Sequence, residues 1–357
     1  MSEPLNVADF ERLAEEVLEP GAFGYFAGGA GDEHCLRENV EAWRRHRLRP
    51  RVLVDVSAAS AATSVLGSDV SMPVLVAPTA FHRMVHPDGE LGTARAAAAA
   101  GTLMCLSTLA TAAPAEVAAA APGAPRWFQL YVFRDRGVTR ALVEQAVAAG
   151  FEAIVLTVDV PRLGRRERDL RTGFRVPAEV VVPSIAALEG RWAGATPLEV
   201  LAQIDGSLGW GDLERLVAES PIPVIVKGIQ TGEDAALACE HGAAAIVVSN
   251  HGGRQLDAVA STAQLLPEVV EAVAGRLEVY VDGGIRRGSD VVVALALGAR
   301  AVLVGRPVLW GLAHAGEAGA RRVLELLHDE VELALALCGC TSPTAVTRTH
   351  VSSIGGS

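Results

Sequence analysis

The chain lacks several features that mark common protein classes. Its 357 residues carry a formal net charge of -11 and contain no block of basic residues, so nucleic acid and anionic membrane surfaces are not expected partners. No uninterrupted apolar run approaches the roughly 20 residues of a membrane span. The first residues, MSEPLNVADFERLAEE, also lack the basic region and the following apolar region of a signal peptide. These absences predict a cytoplasmic protein without a membrane partner.

Cysteine is sparse as well, and the five thiols are Cys35, Cys105, Cys239, Cys338 and Cys340. Apart from the CGC near the C-terminus they show no metal-ligand spacing, and a disulfide framework is not expected in a chain of this size. We therefore predict no metal site. Half of the residues are hydrophobic, which is enough for one large core, so we expect a single domain over residues 1–357.

Eight short apolar runs recur along the chain, and each ends in polar or glycine residues. Most are rich in Val and Ile and do not alternate with polar residues, which is typical of parallel strands covered on both faces. The runs are VLVAPTA from Val74, TLMCLST from Thr102, RWFQLYV from Arg126, AIVLTVD from Ala153, PVIVKGI from Pro223, AIVVSNH from Ala245, VYVDGGI from Val279 and AVLVGRP from Ala301.

Segments with helical periodicity lie between these runs, as at residues 137–150, 231–242 and 288–298, and each of the three ends at a glycine. Eight strand-then-helix units predict an α/β fold, a (β/α)8 barrel over about residues 74–312. The competing architecture is a doubly wound parallel sheet. It requires a glycine-rich dinucleotide turn after the first strand, and APTAFHR is not such a turn.

The spacing of the runs shows where the barrel is extended. Most consecutive runs start 22 to 34 residues apart, but the fourth and fifth start 70 residues apart, which indicates an insertion at about residues 174–209. A loop of this length on the catalytic face of a barrel is commonly a lid or a contact segment. We expect residues 5–55 to form a short helical region before the barrel and residues 313–337 to form a terminal pair of helices.

One apolar run opens into a group of reactive side chains, SNHGGRQLD. His251 can exchange protons near neutral pH, and Arg254 can hold a carboxylate through two parallel hydrogen bonds. The two glycines between them let the backbone turn tightly or approach a ligand closely. The pattern indicates a general base beside an anion clamp. The alternative is a strand end with a hydrogen-bonded His and a solvated Arg.

Residues of catalytic type follow the other runs too. Active sites of (β/α)8 barrels lie at the carboxyl ends of the strands, so we expect these side chains to share one rim. In chain order they are Thr79, Ser107 with Thr108, Gln129 with Tyr131, Thr157 with Asp159, Lys227, Ser249 with His251, Asp282, and Gly305 with Arg306.

The last two runs indicate a phosphate site. VDGGIRRG and VGRP place glycines beside Arg286 and Arg306, where barrels often bind phosphate through backbone N–H groups and a cation. The phosphate could belong to a substrate or to a cofactor. Lys227 favours a cofactor, because a lysine at the fifth strand end can stabilise negative charge on a reduced flavin. A Schiff-base lysine and a buried ion pair are the alternatives.

Nearly the whole chain resembles the FMN-dependent (S)-2-hydroxy-acid oxidase family, which includes glycolate, lactate and hydroxymandelate oxidases. The resemblance is carried by YFAGGAGDE, RPRVLVDVS, APTAFHRMVHPDGE, FQLYVFRD, LTVDVPRLGRRERDLR, VKGI, SNHGGRQLD, DGGIRRGSDV and VGRP. It implies FMN as the cofactor and the oxidation of (S)-2-hydroxy acids to 2-oxo acids, with O2 reduced to H2O2. Such a reaction needs a base, a carboxylate anchor and an electron sink that side chains cannot provide.

The resemblance also implies roles for individual residues. His251, paired with Asp159, would take a proton from the substrate, Tyr131 would hydrogen-bond the reacting hydroxyl, and Lys227 would act at the flavin. The substrate carboxylate would be held by Arg166 and Arg254, with Tyr25 assisting. FMN would be bound by Pro78, Thr79, Ala80, Ser107, Gln129, Thr157, Lys227, Ser249, Asp282, Gly284, Arg286, Gly305 and Arg306.

Departures from the family pattern bear on the substrate. Plant-type glycolate oxidases have Trp at the position of Leu109 and Met at the position of Phe81, and the loss of an indole predicts a wider pocket. We therefore expect broad activity that includes medium-chain aliphatic and mandelate-like acids. Hydroxymandelate oxidases often have Phe at the position of Tyr25, so the resemblance does not imply that specialised role.

The electron acceptor and the assembly are separate questions. Ala80 matches the oxidases, whereas the related mandelate dehydrogenases tend to have Gly there, so O2 is the expected acceptor. The alternatives are a dehydrogenase that uses a quinone or a protein carrier and, from a different class, a barrel that binds a phosphorylated substrate without FMN. Family members are usually tetramers, which implies a homotetramer here.

Overall fold

Eight parallel strands close into a barrel in the computed structural model of the chain, which describes residues 3–188, 192 and 195–353. Each barrel strand pairs with the next one along the chain, and the last pairs with the first, Val302 lying beside Val74. The barrel strands are β4 (Val74–Val76), β5 (Met104–Leu106), β6 (Arg126–Leu130), β7 (Ala153–Thr157), β8 (Val224–Ile229), β9 (Ala245–Val248), β10 (Glu278–Asp282) and β11 (Ala301–Val304).

Helices surround the barrel and extend it at both ends of the chain. Before the barrel lie α1 (Val7–Val17), α2 (Pro20–Ala27) and α3 (His34–Arg44). The others are α4 (Gly89–Ala99), α5 (Pro114–Ala120), α6 (Arg136–Ala148), α7 (Glu167–Thr172), α8 (Pro183–Ala186), α9 (Pro197–Leu201), α10 (Trp210–Glu219), α11 (Gly232–Glu240), α12 (Thr262–Val273), α13 (Gly288–Ala296) and α14 (Arg306–Leu337).

The predicted (β/α)8 barrel is confirmed, and each of the eight apolar runs overlaps one of its strands. The helices expected at residues 137–150, 231–242 and 288–298 correspond to α6, α11 and α13. The glycines that follow α6 and α13, Gly150 and Gly298, have φ angles of 72° and 107°, a region that residues with a Cβ rarely adopt. The glycine endings in the sequence therefore marked real helix ends.

The core has two layers because side chains of a strand alternate between its faces. Leu75, Trp127, Ile225 and Tyr280 belong to a cluster that fills the barrel interior, whereas neighbours such as Val74 pack against the outer helices. The hairpin of β2 (Thr63–Val65) and β3 (Ser68–Val70) adds Val65 and Val70 to the interior cluster. The apolar side chains of this cluster thus fill the barrel interior, and polar side chains lie at the carboxyl ends of the strands.

The terminal regions differ in detail from the prediction. The C-terminal helix pair begins at Arg306, directly after β11, and its two segments meet at Ala315 and Gly316, which have non-helical backbone angles. A short sheet joins β1 (His46–Leu48) to β12 (Val351–Ser353). Residues 189–191 and 193–194 of the predicted insertion lie outside the described part of the chain. In the described ranges, no helix is long and apolar enough to cross a membrane.

Candidate active site

The carboxyl ends of the barrel strands enclose a cavity that collects most of the predicted site residues. Asp159 and Ser249 do not line it but contact His251 and Lys227, which do. The predicted residues around the cavity are Tyr25, Pro78, Thr79, Ala80, Ser107, Gln129, Tyr131, Thr157, Arg166, Lys227, His251, Arg254, Asp282, Gly284, Arg286, Gly305 and Arg306.

His251 and Asp159 form a hydrogen-bonded pair at this rim. Nδ1 of His251 lies 2.9 Å from Oδ1 of Asp159, whose side chain is 4% exposed. Burial opposes ionisation of Asp159, but the charges of Lys227 and of the His251 ring, which is protonated at the low pH where the carboxyl titrates, outweigh it and hold the pKa of Asp159 below its usual value. Burial lowers the pKa of His251, although Asp159 acts in the opposite direction. The ring is therefore neutral at pH 7, with Nδ1 donating to the carboxylate and the lone pair on Nε2.

The backbone around His251 is fixed by side-chain amides and a hydroxyl. His251 has a φ of 57°, an unfavourable angle for a residue with a Cβ, and its backbone N–H donates to Ser249 Oγ at 3.1 Å. The side chains of Asn250 and Asn39 exchange two hydrogen bonds of 2.8 Å. Asn250 Oδ1 also accepts from Gly253 N. This local network holds the imidazole in a conformation that the free chain would avoid.

Two guanidinium groups and a phenol ring form a cationic corner of the cavity. The Cζ atoms of Arg166 and Arg254 lie 5.8 and 5.0 Å from the centre of the Tyr25 ring. Arg254 Nη1 donates to the carbonyl oxygens of Tyr25 and Gly28, at the C-terminal end of α2, at 2.6 and 3.0 Å. Burial, followed by repulsion from Arg166, lowers the pKa of Arg254 to about 10. Arg254 remains charged at neutral pH and suits an anionic ligand.

Lys227 is the only lysine in the chain, and it lies buried beneath the cavity. Its Nζ is 3.1 Å from Asp282 Oδ2 and donates to Ser249 Oγ at 2.9 Å. Burial alone would lower the pKa of Lys227, but the carboxylates of Asp282 and Asp159 outweigh it and raise the pKa. A lysine held in its charged form is unsuited to Schiff-base formation. Lys227 thus forms a buried ion pair with Asp282 and also presents its charge to the cavity.

A second cationic part of the cavity, next to Arg254, suits a dianion. It is lined by Gly284, Arg286, Gly305 and Arg306, and α14 begins at Arg306. Arg306 donates to the carbonyl oxygens of Phe26, Gly28 and Gly252, and burial, followed by repulsion from Arg254, lowers its pKa. A Cβ on Gly284 would lie 2.0 Å from the carbonyl oxygen of Asn39, so the close approach of α3 requires glycine.

Buried polar atoms around the cavity test whether FMN fits. Four of them have no hydrogen-bond partner among the described residues: Gln129 Nε2, Thr157 Oγ1, Arg166 Nε and Asp282 Oδ1. Such atoms are costly unless a ligand satisfies them. FMN offers ring carbonyl and N–H groups, ribityl hydroxyls and a phosphate, and a substrate carboxylate could pair with a guanidinium. The residues present therefore fit FMN together with a small anionic ligand.

Sequence reasoning missed several residues of this site. Val160, Leu163 and Leu201 also line the cavity, and Leu201 comes from α9 in the insertion. Gln255 ties two loops together: its Nε2 donates to the carbonyl oxygens of Asp159 and Arg162, and its Oε1 accepts from Gly164 N. No strand-end pattern could have found them, because Leu163 and Gln255 lie in loops and Leu201 lies in the insertion.

Comparison with known proteins gives the family. Residues 14–353 match the family described as FMN-dependent dehydrogenase. The chain belongs to the FMN-dependent dehydrogenase family. It is 52% identical over 351 residues to "Glycolate oxidase 3" of Oryza sativa subsp. indica, covering 97% of this chain and 95% of that protein. It is 50% identical over 350 residues to "L-lactate oxidase" of a Nostoc species, covering 96% of each.

A solved structure agrees with this assignment. "Mandelate oxidase with (S)-4-Hydroxymandelic acid" superposes with a TM-score of 0.92 at 43% identity, covering 98% of this chain and 99% of that one. The predicted enzyme class, an FMN-dependent 2-hydroxy-acid oxidase, and the predicted cofactor are confirmed. In this member of the FMN-dependent dehydrogenase family, the cavity lies at the carboxyl ends of the barrel strands.

Proposed function

We propose that this enzyme oxidises (S)-2-hydroxy acids to 2-oxo acids and passes the electrons to O2, forming H2O2. We further propose a broad specificity that includes medium-chain aliphatic and mandelate-like acids. One observation carries the proposal: a neutral imidazole held by a carboxylate shares a cavity with the guanidiniums of Arg166 and Arg254. The imidazole can accept a proton, and the guanidiniums can hold a carboxylate. Oxidation of a 2-hydroxy acid requires both functions.

The proposed substrate roles follow from this geometry. Arg166 and Arg254 bind the carboxylate, with Tyr25 between them, so that the C2 hydroxyl reaches His251 and Tyr131. Burial, followed by the charge of Asp159, raises the pKa of Tyr131, which keeps its phenol protonated as a donor. His251 accepts a proton at Nε2, and Asp159 stabilises the imidazolium that forms. Bound FMN supplies the electron sink that the side chains lack.

The proposed FMN contacts divide the cavity into two parts. Lys227 offers a fixed positive charge near the ring. Thr79, Ala80, Ser107, Gln129, Thr157 and Pro78 line the proposed ring and ribityl part, and Ser249 supports it through Lys227; Asp282, Gly284, Arg286, Gly305 and Arg306 provide the ribityl and phosphate end. The unpaired amide of Gln129 and the unpaired Oδ1 of Asp282 support this assignment.

An aliphatic wall supports the broad specificity. Four aliphatic residues line the cavity: Leu109, Val160, Leu163 and Leu201. Phe81, by contrast, is completely buried, and its ring lies 6.3 Å from that of Tyr25. The position that carries Trp in plant-type enzymes is thus filled here by Leu109, which leaves room for an alkyl or phenyl tail.

The decisive experiment is anaerobic mixing of the FMN-loaded enzyme with (S)-2-hydroxyoctanoate, (S)-mandelate or glycolate, followed by admission of air. We expect the flavin absorbance to bleach and then recover quickly with formation of peroxide, and we expect glycolate to react more slowly than the two larger acids. The (R)-acids are the matched controls. Bleaching with slow recovery would instead indicate a dehydrogenase that uses another acceptor, and faster reaction of glycolate would contradict the specificity.

The remaining expectations belong to the same proposal. We propose a cytoplasmic homotetramer whose single domain carries the insertion at residues 174–209 as a lid over the cavity. The described part of the insertion supports the lid, since Leu201 lines the cavity and Ile204 forms a bridge to Phe133, two residues after Tyr131. Light scattering coupled to gel filtration tests the tetramer, and a monomeric mass would contradict it.

A further inference from the structure

The loop after β4 forms one wall of the cavity, and a buried histidine lies behind it. Ala77, Pro78, Thr79 and Ala80 all line the cavity, while His82 is 1% exposed. The Nε2 atom of His82 lies 2.5 Å from Oγ1 of Thr79, and its Nδ1 lies 3.0 Å from Oγ1 of Thr93. The imidazole therefore links a residue of the cavity wall to a threonine on α4.

A buried carboxylate fixes the backbone of the same loop. Glu90 is completely buried, and its Oε1 accepts from the backbone N–H groups of His82 and Thr111 at 3.1 and 2.8 Å. Its Oε2 accepts from the hydroxyl of Thr111. Phe81, between Ala80 and His82, has a φ of 60°, which costs energy for a residue with a Cβ. The contacts around Glu90 hold His82 in place despite this strain.

The hydrogen-bonding capacity of the ring couples the two threonines. Burial lowers the pKa of His82, and Glu90 acts in the opposite direction, so the ring is neutral at pH 7. A neutral imidazole has one donor and one acceptor nitrogen. If it donates to one hydroxyl it must accept from the other. The orientation of the hydroxyl of Thr79, a residue that lines the cavity, therefore depends on the bond between His82 and Thr93.

We propose that His82 is a positioning residue for the cofactor: through its bond to Thr93 it fixes the Thr79 hydroxyl, and so one polar contact to FMN. His82 itself lies behind the wall and touches neither substrate nor FMN. The proposal rests on the proposed assignment of this cavity to FMN. It predicts that replacing a residue behind the wall changes the environment of the flavin as well as the stability of the fold.

The test is titration of the FMN-free protein with FMN, followed by flavin fluorescence and the visible spectrum of the bound flavin. We expect His82→Leu to weaken FMN binding about three- to tenfold, the range for one misdirected neutral hydrogen bond, and to shift the spectrum. We expect His82→Gln, which keeps a donor and an acceptor, to stay within about twofold. Thr93→Val, which leaves the cavity wall untouched, should shift both readouts in the direction of His82→Leu.

A matched control separates positioning from stability. His350 is also buried, and its Nδ1 lies 3.0 Å from the hydroxyl of Thr347 near the end of the chain. We expect His350→Leu to lower the melting temperature of the FMN-free protein while FMN affinity and the flavin spectrum stay those of the unmodified enzyme. If His82→Leu or Thr93→Val also lowered the melting temperature without changing FMN affinity or the flavin spectrum, the proposal would be overturned.

A double-mutant cycle with Thr79→Val tests the route of the effect. If His82 acts through the Thr79 hydroxyl, the losses of FMN affinity in His82→Leu and Thr79→Val are not additive, because each removes the same interaction. Additive losses would overturn the proposal. Failure of the unmodified protein to bind FMN in this cavity would instead count against the proposed function, so the two failures are distinguishable.

Discussion

Replacing Asp159 by Asn removes a negative charge behind the proposed base and leaves an acceptor in its place. Opposite unit charges about 4 Å apart attract by about 4 kcal/mol at an effective dielectric constant of about 20. His251 and Asp159 lie at this kind of separation, with 2.9 Å between the bonded atoms. If half of the imidazolium charge has developed in the transition state, the variant loses about 2 kcal/mol, which is about thirtyfold in rate.

The assay is anaerobic stopped-flow bleaching of the flavin at increasing concentrations of one (S)-2-hydroxy acid. We expect Asp159→Asn to lower the limiting rate constant about thirtyfold and to change the half-saturating concentration by less than about threefold, because the arginines that bind the carboxylate remain. Asp212→Asn is the control, since Asp212 lies in α10, outside the proposed lid, and its Oδ1 pairs with Arg136 at 3.4 Å. A limiting rate within threefold of the unmodified enzyme would refute this account of the pair.

Three further predictions concern charge, pH and pocket size. Lys227→Met leaves Asp282 buried without its cation, at a cost of about 3–5 kcal/mol. Calorimetry of the FMN-free protein should then show a melting temperature about 4–7 °C lower, and an unchanged one would contradict the ion pair. Because the pKa of His251 is lowered, its basic form predominates above pH 6.5. The decline of flavin bleaching at low substrate should therefore be centred below pH 6.5, and a decline centred above it would disagree. Leu109→Trp should lower the ratio of kcat/KM for 2-hydroxyoctanoate to that for glycolate at least about tenfold, and steady-state oxygen consumption with both acids measures it.

The barrel was predictable because its signal is local. Each strand is a short run of apolar residues buried on both faces, and the register of a barrel brings the carboxyl ends of all such runs to one rim. His251 and Asp282 could therefore be placed in one site without knowledge of any tertiary contact. The resemblance then added Tyr25 and Arg166, whose positions no strand pattern indicates, and both line the cavity.

Other parts of the site depend on contacts that leave no trace in the local sequence. The pairing of β1 with β12 joins segments about 300 residues apart, and three-residue strands have no measurable periodicity. Leu201 lies at the cavity only because the insertion folds back beside Phe133. The bond between His82 and Thr79 likewise requires the backbone turn at Phe81, which its side chain does not favour. Such features arise from tertiary structure that overrides local preference.

The end of α2 has a consequence for protein engineering. The carbonyl oxygen of Gly28 accepts from Arg254 at 3.0 Å and from Arg306 at 2.9 Å, so one peptide group outside the barrel orients cations from two different βα loops. A chimaera that exchanged the eight strands and their loops but kept a foreign N-terminal segment would keep this acceptor only if that segment placed the corresponding main-chain carbonyl at the same point. Recombination between relatives should therefore place its crossover before Pro20, so that the helix and the barrel are inherited as one unit.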